Sequence, residues 1–173
     1  MRLKFIFLIL LGVGLFTLSQ AAVDYATITV TVIDSALPGE FNTENYALDT
    51  LKEGKTVYID RDVTFSKIPS ALKNKNVILV KLAGDERNNS NYNLSFNIYK
   101  PANLYVGHDA RLANNPPEWL KTKFALTKDE VKMNNNRGTF SLWKTKVETG
   151  EIKLGSNNSK SIDCAMYVLF LEL

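Results

Sequence analysis

The chain has 173 residues, 45% of them hydrophobic and 23% charged, which is the composition of one folded domain and excludes a disordered chain. Formal net charge is +3; setting aside Arg2 and Lys4 leaves +1, too little and too dispersed for a nucleic-acid partner. One Cys and one His exclude a disulfide framework and a Cys/His zinc site within this chain.

Residues 1–21 read as a secretory signal peptide. Arg2 and Lys4 form the positive start, and the apolar run over residues 5–18 is interrupted only by Gly12, Gly14 and Thr17. Ser19-Gln20-Ala21 then puts small residues before a cleavage site at Ala22. The run is about 14 residues, short of the ~20 that span a bilayer. The expected product is residues 22–173, one secreted or periplasmic domain with no membrane span.

Period-2 patterns dominate the rest. Residues 25–34 alternate strictly between a Thr-rich face and an Ala/Ile/Val face, as a half-buried strand does. Leu37-Pro38-Gly39 breaks the chain. Further strands are predicted over 56–60, 63–65, 77–82, 94–99, 104–106, 139–144, 151–154 and 164–171. The last is apolar throughout and is expected at the centre of a sheet. Short helical turns are predicted at 68–72 and 118–124, the second following Asn114-Asn115-Pro116-Pro117. Many short strands separated by Asn- and Gly-rich turns predict an all-β, two-sheet β-sandwich of jelly-roll type.

Four groups of residues are candidates for chemistry. His108 with Asp109 and Arg111 has the residue types of an acid/base site. Adjacent strand residues face opposite ways, however, so His108 and Asp109 do not converge on one atom, and a structural role is expected for Asp60, Arg61, His108, Asp109 and Arg111. Asp60, Asp62, Asp85 and Asp109, with Glu86, offer oxygen ligands for calcium. Cys164, among Ala165, Met166 and Tyr167, is expected to be an inert core thiol. Trp143, Tyr92, Tyr99 and Trp119 offer ring faces on which a sugar can stack, with core packing as the alternative for both Trp residues.

Several separated motifs share an order with a known module. They are Val57-Tyr58-Ile59-Asp60-Arg61-Asp62-Val63-Thr64-Phe65, Ile68-Pro69 with Leu72, Leu94-Ser95-Phe96, Leu104-Tyr105-Val106-Gly107-His108-Asp109-Ala110-Arg111 and Pro117-Glu118-Trp119-Leu120. Gly150-Glu151-Ile152-Lys153-Leu154-Gly155-Ser156-Asn157 and Met166-Tyr167-Val168 follow. Over residues 48–170 the chain resembles the non-catalytic β-sandwich accessory module of secreted bacterial polysaccharide-degrading enzymes. It departs from that pattern at Val63, where an aromatic is usual, and at Gly107, where Ala is usual. The resemblance implies a domain that is not an enzyme and that binds carbohydrate, a cell-surface or matrix polysaccharide. The alternative is a structural or protein-interaction domain of the cell envelope.

Overall fold

The computed structural model describes residues 46–73, 75–82, 84, 87, 90–134, 138–157 and 164–173, and the backbone course of 28–34. The proposed signal segment, Asp85 and Glu86 lie outside the described residues. The described strands are β1 (Ile28–Asp34), β2 (Tyr46–Thr50), β3 (Phe65–Lys67), β4 (Val77–Leu82), β5 (Asn93–Ile98), β6 (Ala102–Asp109), β7 (Ala125–Met133), β8 (Thr139–Val147), β9 (Gly150–Leu154) and β10 (Val168–Glu172). One short helix, α1 (Glu118–Lys123), precedes β7, and a 3-10 turn, Ala110–Leu112, follows β6.

Two antiparallel sheets form, ordered β1-β5-β9 and β2-β4-β10-β6-β8-β7-β3. The chain therefore passes between sheets at β1–β2, β4–β5, β5–β6, β8–β9 and β9–β10. This is the all-β sandwich the residue pattern predicts. β10 lies inside the larger sheet between β4 and β6, and all five of its residues are buried. Its continuous apolar run follows from that position, because both of its faces are covered.

Register divides the larger sheet into two faces. Leu79, Phe170, Tyr105 and Lys144 form one cross-strand row, and their neighbours along each strand point the other way. Phe65 of the edge strand β3 meets Phe170 at 5.8 Å between ring centroids. Those strands are four places apart in the sheet order, about 19 Å if the sheet were flat. The sheet thus curls over this face, and the segment 51–65 closes it by backbone bonds. Leu51 N–H donates to Val77 O at 3.1 Å, and Val57 N–H to Val63 O at 2.7 Å. Residues of the opposite face, including Ile78, Leu104, Val106 and Leu171, join Leu94, Phe96 and Ile98 of β5 in the same core cluster.

Beyond shifted strand ends, such as residues 164–167, which were expected in the last strand but precede β10, three elements differ from the sequence expectation. Residues 56–60 are not a strand; a single bridge joins Thr56 to Thr64. Their apolar side chains cover the core as an extended loop, which produces strand-like patterning without a ladder. β2 and β7 were not expected. β7 carries Lys128, Asp129 and Glu130, and its register shifts between Leu126 and Glu130, so its alternation is broken.

The departure at Gly107 has a packing reason. A Cβ there would lie 2.5 Å from Val168 Cγ2, with Leu142 Cδ2 at 3.4 Å and Phe140 Cβ at 3.5 Å. Val168 is β-branched and directly opposite Gly107 in the ladder, so it cannot easily turn aside. Gly107→Ala is expected to destabilise the domain by about 1–3 kcal/mol, read as a lowered midpoint in chemical denaturation. An unchanged midpoint would show that β10 has slack here.

Candidate functional site

The motif residues converge at one end of the sandwich. β6 ends there and β10 begins beside it, since the two are antiparallel neighbours. Alternation along β6 sets Tyr105, Gly107 and Asp109 on one face and Leu104, Val106 and His108 on the other. His108 and Asp109 are both buried.

Asp109 terminates the strand by capping the 3-10 turn, its Oδ1 accepting from Arg111 N–H at 3.0 Å. The turn brings the Arg111 guanidinium back onto the same carboxylate, with Nε 2.9 Å from Oδ1 and Nη2 2.6 Å from Oδ2. Ala165 N–H donates to Oδ2 at 2.8 Å. Burial opposes ionisation of Asp109, but the Arg111 side chain and the two backbone N–H groups outweigh it and hold the carboxyl below the usual carboxylate range. A continuing strand would have paired Asp109 with Arg111 as same-face neighbours; the turn makes that pair instead.

Residues 164–167 are tied from three directions. Besides Asp109, Tyr58 Oη donates to Met166 O at 2.5 Å, and Asn157 Nδ2 donates to Ala165 O at 2.9 Å. Burial pushes the Tyr58 hydroxyl well above its ordinary pKa. Arg61, Asp109, Asp60 and Arg111 all act electrostatically on that hydroxyl, so the two charged steps of the sequence gather around Tyr58. Arg61 sits 5.8 Å from the Tyr58 ring centroid. Asp60 pairs with Arg61 at 3.2 Å and accepts from Gly84 N–H at 2.8 Å. Asp62 is exposed. Asp60 and Asp109, two of the calcium candidates, each already hold an arginine. No cluster of three or more His, Cys, Asp or Glu side chains able to hold a metal occurs among the described residues.

The aromatic candidates separate. Tyr92 is 2% exposed and packs edge-on against Tyr167 at 6.3 Å. Trp119 meets Tyr167 at 5.5 Å and Phe124 at 6.0 Å, and its Nε1–H donates to Ser156 O at 2.9 Å. A Cβ at Gly155 would come within 2.9 Å of the Trp119 ring, so the indole rests directly on that backbone. Tyr92 thus belongs to the core, and Trp119 is half-buried against it. Tyr99 is 57% exposed in the β5–β6 turn. Trp143 lies in β8, half-buried, between Val106 and the 59% exposed Leu126. Cys164 is buried.

His108 is pressed into the core beside Asn157. Burial pushes its imidazole down to about 4, against the opposing effects of Asp109 and a hydrogen bond to the Asn157 backbone. The ring is therefore neutral at physiological pH.

A second polar cluster was not anticipated from the sequence. The buried Glu172 carboxylate accepts from Tyr105 Oη at 2.8 Å, from Asn103 Nδ2 at 3.1 Å and from Lys75. Lys144 lies 4.9 Å from the Tyr105 ring centroid. Burial opposes ionisation of Glu172, yet the bonds from Lys75 and Tyr105 keep its carboxyl below the ordinary range. The one available signal was a lone Glu inside an otherwise apolar strand; its partners depend on register.

No family model matches the sequence, and no curated protein does. Solved structures do match. One is a β-glucuronidase from glycoside hydrolase family 2, with a TM-score of 0.66 and 21% identity, covering 80% of this chain and 14% of that chain. Another is a GH138 enzyme targeting pectin rhamnogalacturonan II, with a TM-score of 0.50 and 11% identity, covering 82% of this chain and 16% of that one. At these identities the likeness is one of fold. This chain has the fold of a module-sized part of glycoside hydrolases and spans only a small share of their length.

Proposed function

We propose that the chain is an exported, non-catalytic module that binds carbohydrate, of the kind carried by polysaccharide-degrading enzymes. The observation that carries this reading is the fold likeness to a small part of two glycoside hydrolases. The site chemistry supports it. Glycoside hydrolysis uses two carboxyl groups flanking the scissile bond, whereas Asp109 is buried against Arg111 and His108 is enclosed and neutral.

The surface best suited to a sugar is the part of β7 and β8 around Trp143, on the same sheet face whose neighbouring Leu104 and Val106 pack into the core. Leu126 lies across from the indole, and Ser141, Thr145 and Glu130 share that face by register. A sugar ring offers C–H groups to the indole and hydroxyls to the flanking polar side chains. Residues 22–173 applied to a glycan array, with and without calcium, are expected to bind a subset of polysaccharides without releasing reducing ends. Trp143→Ala is expected to weaken that binding about tenfold, roughly 1.4 kcal/mol, measured on protein shown to be folded, because loss of the half-buried indole that packs against the core also lowers the melting midpoint. Measurable hydrolysis would overturn the non-catalytic reading, and full affinity in the variant would remove Trp143 from the surface.

The burial of Tyr92 and the seating of the half-buried Trp119 against Tyr167, Phe124 and Gly155 favour a second reading, an envelope interaction domain, because they take two of the four ring candidates away from a ligand. Absence of glycan binding across the array is the result that selects it.

A further inference from the structure

The polar cluster around Glu172 has an exposed side. Register sets Val77, Glu172, Asn103 and Lys146 in one cross-strand row of the larger sheet, and Leu79, Phe170, Tyr105 and Lys144 in the next. Residues two apart along a strand share a face, so both rows lie on one face. Lys75 reaches the same carboxylate from the segment before β4. Exposure is graded across the cluster. Glu172 and Tyr105 are buried, whereas the Lys144 and Lys75 side chains are 37% and 51% exposed and Lys146 is exposed. The carboxylate forms the floor and the ammonium groups the rim.

The donors are not equally engaged. Glu172 Oε1 accepts from Lys75, and Oε2 accepts from Tyr105 Oη at 2.8 Å and Asn103 Nδ2 at 3.1 Å. Lys144 Nζ stands 3.9 Å from Oε2, beyond hydrogen-bond distance, and 4.9 Å from the centroid of the Tyr105 ring. The ring and the carboxylate hold this ammonium in place by electrostatics while using none of its three donors in a hydrogen bond. Glu172 is the one ion-pair partner of Lys144 among the described residues. The other carboxylate that acts on the Tyr105 hydroxyl is Asp129 of β7.

We propose that this rim is an anion-binding subsite, in which Lys144, flanked by Lys75 and Lys146, takes an acidic group of a polysaccharide, a uronate carboxylate or a sulfate ester. The choice of a polysaccharide rests on the carbohydrate reading above; the choice of an anion rests on the cluster itself. A fixed ammonium with unused donors is completed by an acceptor of opposite charge, and such charge-assisted bonds are the strong ones. Repulsion from Glu172 is muted because three donors already meet that carboxylate. A divalent cation is disfavoured by the three ammonium groups around it. The subsite is separate from the Trp143 surface, since Trp143 and Lys144 are adjacent in β8 and face opposite ways.

The test compares charged polymers with their uncharged counterparts on residues 22–173: polygalacturonate against its carboxyl-reduced form, and dextran sulfate against dextran. At least one charged polymer is expected to bind more tightly than its counterpart, and the pair that shows the gap names the acidic group. The gap is expected to shrink between ~0.05 M and ~0.5 M salt. Lys144→Gln is expected to weaken binding of that charged polymer about fivefold, the upper range for one exposed ion pair, and to leave the uncharged polymer unaffected. Lys146→Gln, which removes no contact to Glu172, is expected to act in the same direction and guards against a Lys144 variant that folds poorly. Lys121→Gln is the control, because α1 sits beside Tyr167, at the other end of β10 from Glu172. Equal binding of charged and uncharged polymers, or equal losses in all three variants, would overturn the subsite and leave the carbohydrate reading standing. Binding of none of the four, together with an empty glycan array, would overturn both.

Discussion

Asp109→Ala is expected to cost about 3–5 kcal/mol of stability, the range found when one partner of a buried charged pair is removed. The side chain is fully buried and performs three tasks at once. It caps the turn after β6, holds the Arg111 guanidinium and fixes Ala165 at the entry to β10. Losing it leaves two backbone donors and a guanidinium without their acceptor. Arg111→Ala is expected to cost less, about 1–3 kcal/mol, because its side chain is 45% exposed and both backbone bonds to Asp109 survive. Urea denaturation of the two variants measures this directly. For a domain of this size, 3 kcal/mol corresponds to roughly 10 °C in melting midpoint. A loss below 1 kcal/mol for Asp109→Ala would mean that the 164–167 segment is held mainly by Tyr58 and Asn157.

Acid is expected to weaken the domain through His108 before any carboxylate responds. The unfolded imidazole binds a proton near pH 6.5, whereas burial holds the folded one down to about 4. Between those values the unfolded state carries more protons, so stability rises with pH across that window. The contribution is complete above pH 6.5 and is lost as pH falls toward 4. Its size follows from the shift, about 3 kcal/mol at most. Asp49, Asp109 and Glu172 have lowered folded values, so their contributions are present above their ordinary values of 3.8, 3.8 and 4.5. Those contributions disappear only as pH falls further, through the folded values. His108 is the only histidine, so stability measured between pH 7 and 4.5 reports chiefly on one group. A folded His108→Phe variant should lose the slope across this range. The same slope in that variant would assign the acid sensitivity elsewhere.

Regular patterning made much of the sandwich legible. Val77 to Leu82 and Leu94 to Ile98 carry apolar runs or alternation, and both segments form strands. The fully apolar stretch ending at Leu171 marked a strand covered on both faces, and β10 is that strand. β7 escaped because its bulge shifts the period just where Lys128, Asp129 and Glu130 replace apolar residues. Residues 56–60 misled for the converse reason. Val57 and Tyr58 are buried by covering the core from a loop, and burial alone imprints the pattern of a strand.

The candidate site divides along the same line. Adjacent-residue alternation was enough to separate His108 from Asp109 and to couple Asp109 with Arg111, since both are local consequences of a strand and its ending. Nothing local joins Tyr58 to Met166, Trp119 to Ser156, or Glu172 to Tyr105 and Lys75, contacts that span from 37 to 108 residues of chain. By itself the sequence determined the class of fold, the core strands and the charge pairing at the end of β6, because side-chain periodicity and short-range geometry are properties of neighbouring residues. Only the tertiary structure decided that Tyr92 is buried, that Trp119 and Trp143 are both half-buried against the core, that Tyr99 stays exposed, and that His108 and Asn157 are enclosed. Those outcomes depend on strand order, register and the curl of the sheet, which arise from packing distant segments against one another.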